Sequence, residues 1–295
     1  MKLLDNRCLC KSEDCRVLLP EKIEWSALSA YEFSARRKRS IQHYRIVRCH
    51  SCGLVRSDPI LSDEDLVKLY RESEFLYPNE SRYAARTYAS LVTPYFAMFP
   101  QPEQIRLLEI GCGNGTFLDE MRRRRVHTVT GVEPSVRAVE KASETVKPAI
   151  INDVFHRGVF HPGMFDVVCA FHVLDHLREP AEFIKECFHI LNDKGIMLLV
   201  CHNVDALVNK VLGECSPVFD VEHIFLFNPA TLRKFLESYG FITRDMGKVA
   251  NTYPLAYWLR YAPVVNRFVG RFPRAIQNIS LTLYAGNIYI CAQKK

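Results

Sequence analysis

A short apolar run that ends in three alternating glycines constrains the fold of this chain more than any other segment. Leu107 to Ile110 has the composition of a buried strand, and Gly111, Gly113 and Gly115 follow it directly. Because glycine lacks a Cβ, a ligand can lie against the backbone there, and the first turn of a following helix presents free N–H groups to it. The run therefore predicts a strand, a glycine turn and a helix around a bound ligand.

A second strand-like run ends at Glu133. A carboxylate at that point suits the diol of a ribose, because an ionised acid accepts hydrogen bonds from two hydroxyls. The site is therefore predicted to hold an adenosine-containing cofactor. The nicotinamide fingerprint is Gly-x-Gly-x-x-Gly, whereas Gly111-x-Gly113-x-Gly115 closes one residue earlier. This spacing favours S-adenosyl-L-methionine.

Short β-rich runs alternate with helical patterns over the second half of the chain. Strands are predicted near 105–110, 127–132, 148–152, 165–171 and 195–201, and helices near 114–125, 135–146, 179–191 and 229–239. This alternation predicts an α/β fold, in which a parallel sheet carries helices on both faces. In such a sheet the ligand lies beyond the carboxyl ends of the strands, where Glu109, Glu133, Asp153 and Phe171 fall.

These motifs together resemble the class I methyltransferases, whose first motif is an acidic residue followed by Gly-x-Gly-x-Gly. The likeness begins at Glu109 and continues through Glu133-Pro134-Ser135, Asn152-Asp153 and the run 165–171. It implies a Rossmann-like, seven-stranded, mostly parallel sheet that an antiparallel pair, 241–249 and 287–292, would close. The cofactor-binding residues that it implies are Glu109, Gly111, Gly113, Asn114, Gly115, Glu133, Pro134, Asp153, Val154 and Phe171.

The composition suits one large domain, or a large domain with an attachment. The chain has 295 residues, 48% of them hydrophobic, and a net charge of +6, a mild excess that is compatible with anionic substrates but too weak to indicate nucleic acid. Arg122 to Arg125 ends a predicted helix, where cations complement the helix dipole, whereas Arg36 to Arg39 could meet phosphate or form an exposed face. The sequence shows neither a signal-peptide core nor a membrane span, so we expect a cytoplasmic protein.

The eleven cysteines should be thiols or metal ligands in such a compartment. Cys49-x-x-Cys52 is followed by Gly53, which permits the tight turn that brings two thiolates onto one ion. Four sulfur ligands in a small segment without a core fit structural Zn²⁺, whose binding energy would replace that core. The predicted ligands are Cys8, Cys10, Cys49 and Cys52, with Cys15 as a substitute. Reduced thiols without a metal are the alternative.

The sequence around this knuckle resembles the N-terminal zinc-binding domain attached to a group of bacterial sugar C-methyltransferases. The similar stretch is Tyr44 to Val55. The resemblance implies a zinc-ribbon-like segment over 1–60, a helical linker over 61–104 and a methyltransferase domain over 105–295. Insertions near 203–228 and 250–285 would form the substrate face.

Three histidines are candidates for a base, which a hydroxyl or carbon acceptor requires. His172 directly follows the fourth strand, His176 lies one helical turn later, and His223 follows Glu222. In the sugar C-methyltransferases a Tyr-x-Glu-His motif lies in the insertion that corresponds to the segment around His223, and it supplies acid and base groups. Here it reads Asp220-Val221-Glu222-His223, so the Glu-His pair is retained and aspartate replaces tyrosine. Each histidine could instead satisfy a local hydrogen bond.

Two absences narrow the predicted chemistry. The Asn/Asp-Pro-Pro-Tyr/Phe motif of base N-methylation is missing after the fourth strand, and no carboxylate stands at 170–173 to hold magnesium. The sequence therefore predicts metal-independent methyl transfer to oxygen or carbon of a small molecule, such as a sugar or another secondary metabolite, which could be anionic or nucleotide-linked. An RNA methyltransferase that grips phosphates with the zinc ribbon is one alternative, and a non-catalytic cofactor-binding protein is another.

Overall fold

A computed structural model describes residues 1–34, 41–73, 78–259, 273 and 279–295. Within them the strands are β1 (Leu3–Leu4), β2 (Cys15–Leu19), β3 (Ile46–Cys49), β4 (Val55–Ser57), β5 (Ile60–Leu61), β6 (Arg106–Ile110), β7 (Thr128–Val132), β8 (Ile150–Ile151), β9 (Phe165–Phe171), β10 (Leu191–His202), β11 (Phe225–Leu226), β12 (Phe241–Pro254) and β13 (Ser280–Lys294). The α-helices are α1 (Asp63–Glu72), α2 (Pro78–Val92), α3 (Thr116–Arg123), α4 (Val136–Glu140), α5 (Pro180–Ile190), α6 (Leu207–Leu212), α7 (Pro229–Glu237) and α8 (Leu255–Leu259).

The central sheet has seven strands in the order β12-β13-β10-β9-β6-β7-β8. The pairs from β10 to β8 are parallel, whereas β13 runs antiparallel to β10 and β12 antiparallel to β13. This order confirms the predicted Rossmann-like, mostly parallel sheet. The closing pair is longer than predicted, because the ladder between β12 and β13 continues as far as Pro254 and Ser280.

Helices cover both faces of this sheet, as predicted. Successive residues of a strand point to opposite faces, so Val168 packs into one core cluster with α5 and α7, and its neighbour Val167 packs into another with α2 and α3. Because both faces are buried, β9 and β10 are almost continuously apolar. The helices cover the two faces of the sheet, so polar side chains can lie beyond the carboxyl ends of its parallel strands.

The second predicted strand-and-helix region is shorter than the sequence suggests. The predicted helix 135–146 is α-helical only over Val136–Glu140, and the predicted strand 148–152 only over Ile150–Ile151. Ser143 donates its side-chain hydrogen bond to Asp119, which favours turns over a continued helix. Pro148 lies in a 3₁₀ turn and lacks the N–H that a sheet ladder needs.

The N-terminal segment joins the rest of the chain through a second sheet. Its order is β11-β4-β3-β2, so β11, which belongs to the segment after β10, pairs with a strand of the cysteine-bearing region. Ser57 adds a hydrogen bond of 2.7 Å from its hydroxyl to the carbonyl of His223. Among the described residues, no helix is long and apolar enough to cross a bilayer. The run Arg36 to Arg39 lies outside the described residues.

Candidate functional site

A cavity of about 1300 Å³ opens beyond the carboxyl ends of the parallel strands. Most of the predicted site residues line it, namely Glu109, Gly111, Gly113, Asn114, Glu133, Pro134, Val154, Phe171, His172, His176, Glu222 and His223. Gly115 and Asp153 do not line it. The predicted cofactor residues and the predicted histidines therefore share one cavity.

The glycine turn has the backbone that its sequence requires. Gly111, Gly113 and Gly115 have φ angles of +71°, +55° and +69°, in the left-handed region that glycine tolerates best. A Cβ on Gly111 would lie 2.6 Å from the side chain of Val173, and one on Gly115 would lie 2.9 Å from that of Val146. Gly115 therefore serves packing at the start of α3, whereas Gly111 and Gly113 face the cavity.

Glu133 ties the end of β7 to this turn. Its carboxylate accepts hydrogen bonds of 2.8 Å from the backbone N–H of Gly113 and of Ser135. Burial raises the pKa of Glu133, and these two hydrogen bonds oppose the rise. Each carboxylate oxygen can still accept a further hydrogen bond, which is what two ribose hydroxyls would supply.

Glu109 is the least satisfied group at this end of the cavity. Its Oε2 is buried and has no hydrogen-bond partner among the described residues. Burial and the nearby charge of Glu133 raise the pKa of Glu109 well above its usual range. A buried carboxylate oxygen without a donor fits the ammonium group of a bound methionine, because a cation would compensate for its desolvation. The residues present therefore fit S-adenosyl-L-methionine.

Part of the cavity wall beside the glycine turn is aromatic. The ring of Phe171 stacks on that of Tyr88 with a centroid distance of 4.3 Å, and the ring of Phe117 meets the ring of Phe171 edge-on at 4.9 Å. Asp153, predicted to flank adenine, instead accepts hydrogen bonds from Val154 N at 2.7 Å and Arg71 at 3.3 Å. Its role toward adenine stays a prediction.

Four histidine rings meet at the other end of the cavity. The centroid of His202 lies 4.4 Å from that of His172 and 4.6 Å from that of His223, and the centroids of His176 and His223 are 4.9 Å apart. Sequence reasoning missed His202. A signal for it exists, because His202 ends β10 and so occupies the kind of position that singled out His172 after β9.

Two buried carboxylates hold two of these histidines. Oδ2 of Asp175 accepts hydrogen bonds from the backbone N of His202 at 3.0 Å and from its Nδ1 at 2.7 Å. Nδ1 of His223 lies 3.0 Å from Oδ1 of Asp220. Sequence reasoning considered Asp220 but assigned no such role to Asp175. Burial would raise the pKa of Asp175, but the hydrogen bond and charge of His202 bring it well below its usual range.

The surroundings shift the pKa values of His223, His176 and His172 in different directions. Burial lowers the pKa of His223, but the charge and hydrogen bond of Asp220 outweigh it and raise the value to about 9. Burial and the charge of His223 lower the pKa of His176 to about 3, and Nδ1 of His176 lies 2.9 Å from the hydroxyl of Tyr70. Burial and the charge of His202 lower the pKa of His172 well below its usual range. One ring is therefore cationic near neutral pH, and at least two are neutral.

The four cysteines predicted as metal ligands lie together. The Sγ of Cys8 is 3.4 Å from that of Cys52, and the Sγ of Cys10 is 3.5 Å from that of Cys8 and 3.6 Å from that of Cys49. All four sulfur atoms lie within 4.8 Å of one another. Cys15 lies outside this group, with its Sγ near Arg56. Four thiol donors at this separation fit tetrahedral zinc.

Comparison with known proteins agrees with this geometry. Residues 81–244, more than half of the chain, match a family model described as a methyltransferase domain. The chain belongs to the methyltransferase domain family. The predicted membership of the methyltransferases is thereby confirmed.

Similar proteins differ in the acceptor that their names indicate. Ubiquinone biosynthesis O-methyltransferase of Caulobacter sp. (strain K31) is 33% identical over 110 residues, which cover 34% of this chain and 42% of that protein. The Psychrobacter arcticus protein of the same name is 27% identical over 187 residues, 58% of this chain and 72% of that protein. A tRNA U34 carboxymethyltransferase of Helicobacter pylori (strain J99) is 27% identical over 156 residues, 50% and 59% respectively. The chain thus spans less than half of the Caulobacter relative.

A solved structure shows the same fold. It is a Haloferax volcanii complex of the Trm112 methyltransferase activator with a protein described as a methyltransferase, and the matched chain is 14% identical with a TM-score of 0.52. The match covers 79% of this chain and 98% of that chain.

Proposed function

We propose that the protein transfers the methyl group of S-adenosyl-L-methionine to an oxygen or carbon atom of a small molecule, without a metal in the reaction. Glu109, Gly111 and Gly113 would surround the methionine part of the cofactor, and Glu133 its ribose. A histidine of the cluster would take the acceptor proton, and His172, His176 and His223 are the candidates from the sequence. The observation that carries this proposal is the single cavity, which joins the glycine turn to the histidines.

Besides a base, the main contribution of the protein is to align the acceptor with the cofactor. The cofactor supplies an activated methyl group on a sulfonium, so alignment of the acceptor with that methyl group accounts for most of the acceleration. Tyr88, Phe117 and Phe171 form an aromatic wall of the cavity, in which Phe171 packs against both other rings. We expect this wall to exclude water from the line of transfer and to hold an acceptor against the cofactor.

Two observations bear on the acceptor. The relatives named ubiquinone biosynthesis O-methyltransferase favour an oxygen acceptor. Arg157, Arg178 and Lys185 line the cavity, and Nη1 of Arg178 is buried without a hydrogen-bond partner among the described residues. Lys185 is paired with Glu182 at 2.6 Å, and Nε of Arg178 lies 3.6 Å from Asp63. Arg157 and the buried Nη1 of Arg178 would therefore be the groups that suit an anionic or nucleotide-linked part of the acceptor.

A methyl-transfer assay tests the proposal. The protein is incubated with S-adenosyl-L-methionine labelled in its methyl group and with a panel of phenols, catechols and nucleoside diphosphate sugars, and labelled products are identified by mass spectrometry. We expect label in at least one panel member. Cofactor binding without transfer to any small molecule, in a preparation that also fails to bind RNA, would instead support a non-catalytic cofactor-binding protein.

The second candidate is an RNA methyltransferase, which the tRNA-modifying relative favours. It predicts that unfractionated tRNA accepts the label and that the affinity falls steeply as salt rises. Label in tRNA and none in the small-molecule panel would replace the first proposal by this one.

We also propose that the four cysteines bind structural Zn²⁺. The ion would fix the turn at Cys49 to Cys52, which joins β3 to β4, and β4 in turn pairs with β11 beside His223. Its role is thus to hold the N-terminal sheet in place and not to take part in methyl transfer.

A further inference from the structure

We propose that His202 is the general base of the reaction and that Asp175 is the residue that positions it. This inference rests on the proposed function, because it names the group that takes the proton from the acceptor. It replaces the three histidines that the sequence suggested by one that the sequence analysis missed.

The contacts of His202 define which of its nitrogens is available. Its Nδ1 lies 2.7 Å from Oδ2 of Asp175, and its backbone N–H donates to the same oxygen at 3.0 Å. Because an ionised carboxylate only accepts hydrogen bonds, the imidazole must carry its proton on Nδ1, which leaves a lone pair on Nε2. The side chain of Asp175 is 1% exposed and that of His202 is 26% exposed, so the carboxylate is fixed while the ring remains accessible.

The arrangement follows the general logic of a base oriented by a third group. Asp175 also stabilises the imidazolium that forms when His202 accepts a proton. Asp175 is itself fixed in place. It lies in a 3₁₀ turn (Leu174–His176) that follows β9, and its carbonyl accepts a hydrogen bond of 2.7 Å from the N–H of Ile224. The turn is therefore held by two segments of the chain.

The other three histidines are less suited to the role. His223 is held as a cation by Asp220, so its lone pairs are not available near neutral pH. His176 is engaged by the hydroxyl of Tyr70. His172 has no orienting partner, because its buried Nδ1 lacks a hydrogen bond among the described residues. Nδ1 faces a carboxylate in both His202 and His223, and both residues line the cavity, but the side chain of His202 is 26% exposed whereas that of His223 is only 6% exposed.

The acceptor O–H or C–H bond breaks and its proton goes to Nε2 of His202. The electron pair of that bond forms the new bond to the methyl carbon as the carbon–sulfur bond breaks. The pair from the carbon–sulfur bond remains on sulfur, which gives neutral S-adenosylhomocysteine. The imidazolium, paired with Asp175, then releases its proton to water through the cavity.

A metal ion is the competing occupant of the same residues. One ligand atom each from His172, Asp175 and His202 lies within 4.8 Å of the others. The hydrogen bond between Nδ1 of His202 and Oδ2 of Asp175 favours a base with its positioning carboxylate over a metal site, because both atoms are already occupied by this contact. Metal analysis separates the two cases. Equal metal content in wild type and His202→Gln is expected, and loss of one metal per chain in the variant would overturn the base role.

The tautomer of His202 tests the positioning by Asp175 independently of any acceptor. Nitrogen-15 spectra of histidine-labelled protein, saturated with S-adenosylhomocysteine, are compared for wild type, Asp175→Asn and His202→Gln. The resonance missing in His202→Gln identifies the residue. We expect its proton on Nδ1 in wild type and a mixture of tautomers in Asp175→Asn. A proton on Nε2 in wild type would overturn the proposal.

Kinetics test the base role with the most active acceptor of the panel described above. His202→Gln should lower kcat by about 10²- to 10³-fold while the KM for S-adenosyl-L-methionine stays unchanged. His127→Gln, an exposed histidine outside the cavity, is the control and should match wild type. A loss of less than about 3-fold in His202→Gln, with transfer in the wild type intact, would overturn this inference and leave the proposed function standing.

The pH profile distinguishes a positioning role of Asp175 from a structural one. The titratable groups around the dyad are His172, His176, Asp220, Glu222 and His223. Asp175→Asn should move the acid limb of kcat to lower pH, because the imidazolium of His202 loses its carboxylate, and Asp175→Glu should restore part of the rate. An unshifted limb in a folded Asp175→Asn variant would contradict the positioning role.

Discussion

The two ends of the cavity are built in different ways. At the cofactor end, Gly111, Gly113 and Glu133 directly follow two adjacent parallel strands, β6 and β7, and the backbone N–H of Gly113 donates a hydrogen bond to Glu133. At the histidine end, the side chains come from the segment after β9, from the end of β10 and from the loop before β11. The first end is thus built by one strand–helix–strand unit, β6, α3 and β7, whereas the second is assembled from three separate segments.

This difference decides how each end should respond to substitution. The cofactor end depends on backbone geometry, so one added methyl group should damage it. The histidine end depends on charge and hydrogen bonding, so it should respond to pH and to isosteric changes.

Gly111→Ala should have the largest effect, because the new Cβ would meet Val173 at 2.6 Å on a backbone with φ +71°. The clash and the backbone strain together should cost about 2–6 kcal/mol of unfolding free energy. Gly163→Ala is the matched control, since Gly163 has φ +67° but its nearest contact is 3.8 Å away. Urea unfolding measures both variants. Equal losses would show that the close approach at Gly111 does not matter.

Glu133→Ala should weaken the binding of S-adenosylhomocysteine by about 10- to 100-fold, because the variant removes charged hydrogen-bond acceptors from the ribose site and from Gly113. Isothermal calorimetry measures the affinity. The exposed Glu140→Ala, one helix further on, should leave it unchanged. An affinity in Glu133→Ala within 2-fold of wild type would remove the ribose assignment and break the cofactor half of the comparison.

Cys49→Ser should lose the bound metal and lower the thermal midpoint, because a thiolate of the four-sulfur cluster is removed. For a chain of this size a loss of about 2–3 kcal/mol corresponds to roughly 3–5 °C. Cys215→Ser, an exposed cysteine outside the cluster, should retain both metal and stability. Wild-type protein without bound zinc when purified in zinc-supplemented medium would refute the metal assignment.

The pH dependence of stability tests the histidine end. Because the folded pKa of His223 is raised to about 9, its contribution is fully present below pH 6.5 and is lost as the pH rises through 9. Between pH 7 and 10 the wild type should therefore lose more unfolding free energy than His223→Gln, by on the order of 2 kcal/mol. Urea unfolding at several pH values measures the difference. Parallel curves for the two proteins would mean that Asp220 does not hold His223 as a cation.

The same contrast explains what the sequence could predict. The glycine turn, Glu133 and the alternating strands are contiguous patterns, so the fold class and the cofactor end followed from them. The cysteine cluster could be predicted in the same way, since Cys49 and Cys52 are close in sequence. Cys8 and Cys10 then had to be chosen as the second pair of ligands. The geometry of the sulfur atoms then separated Cys15 from the rest.

The histidine end was only half predictable. His172 and His223 could be found from their positions, but which carboxylate lies beside each histidine of the cluster, if any, is set by tertiary packing. Asp175 lies beside His176 in sequence, yet it binds His202, which is 27 residues away. Asp220 could be taken for a surface aspartate, and the fold buries it against His223. No pattern of spacing reports such pairs, because they depend on how β9, β10 and the loop before β11 meet.

Calorimetric titration of the purified wild-type protein with S-adenosylhomocysteine, and separately with NAD⁺, tests the central claim most directly. That claim is that the glycine turn, Glu109 and Glu133 form a site for a sulfonium nucleoside. We expect one S-adenosylhomocysteine bound per chain, competition by S-adenosyl-L-methionine and no heat from NAD⁺. Absence of binding by S-adenosylhomocysteine, or saturable binding of NAD⁺, would contradict it.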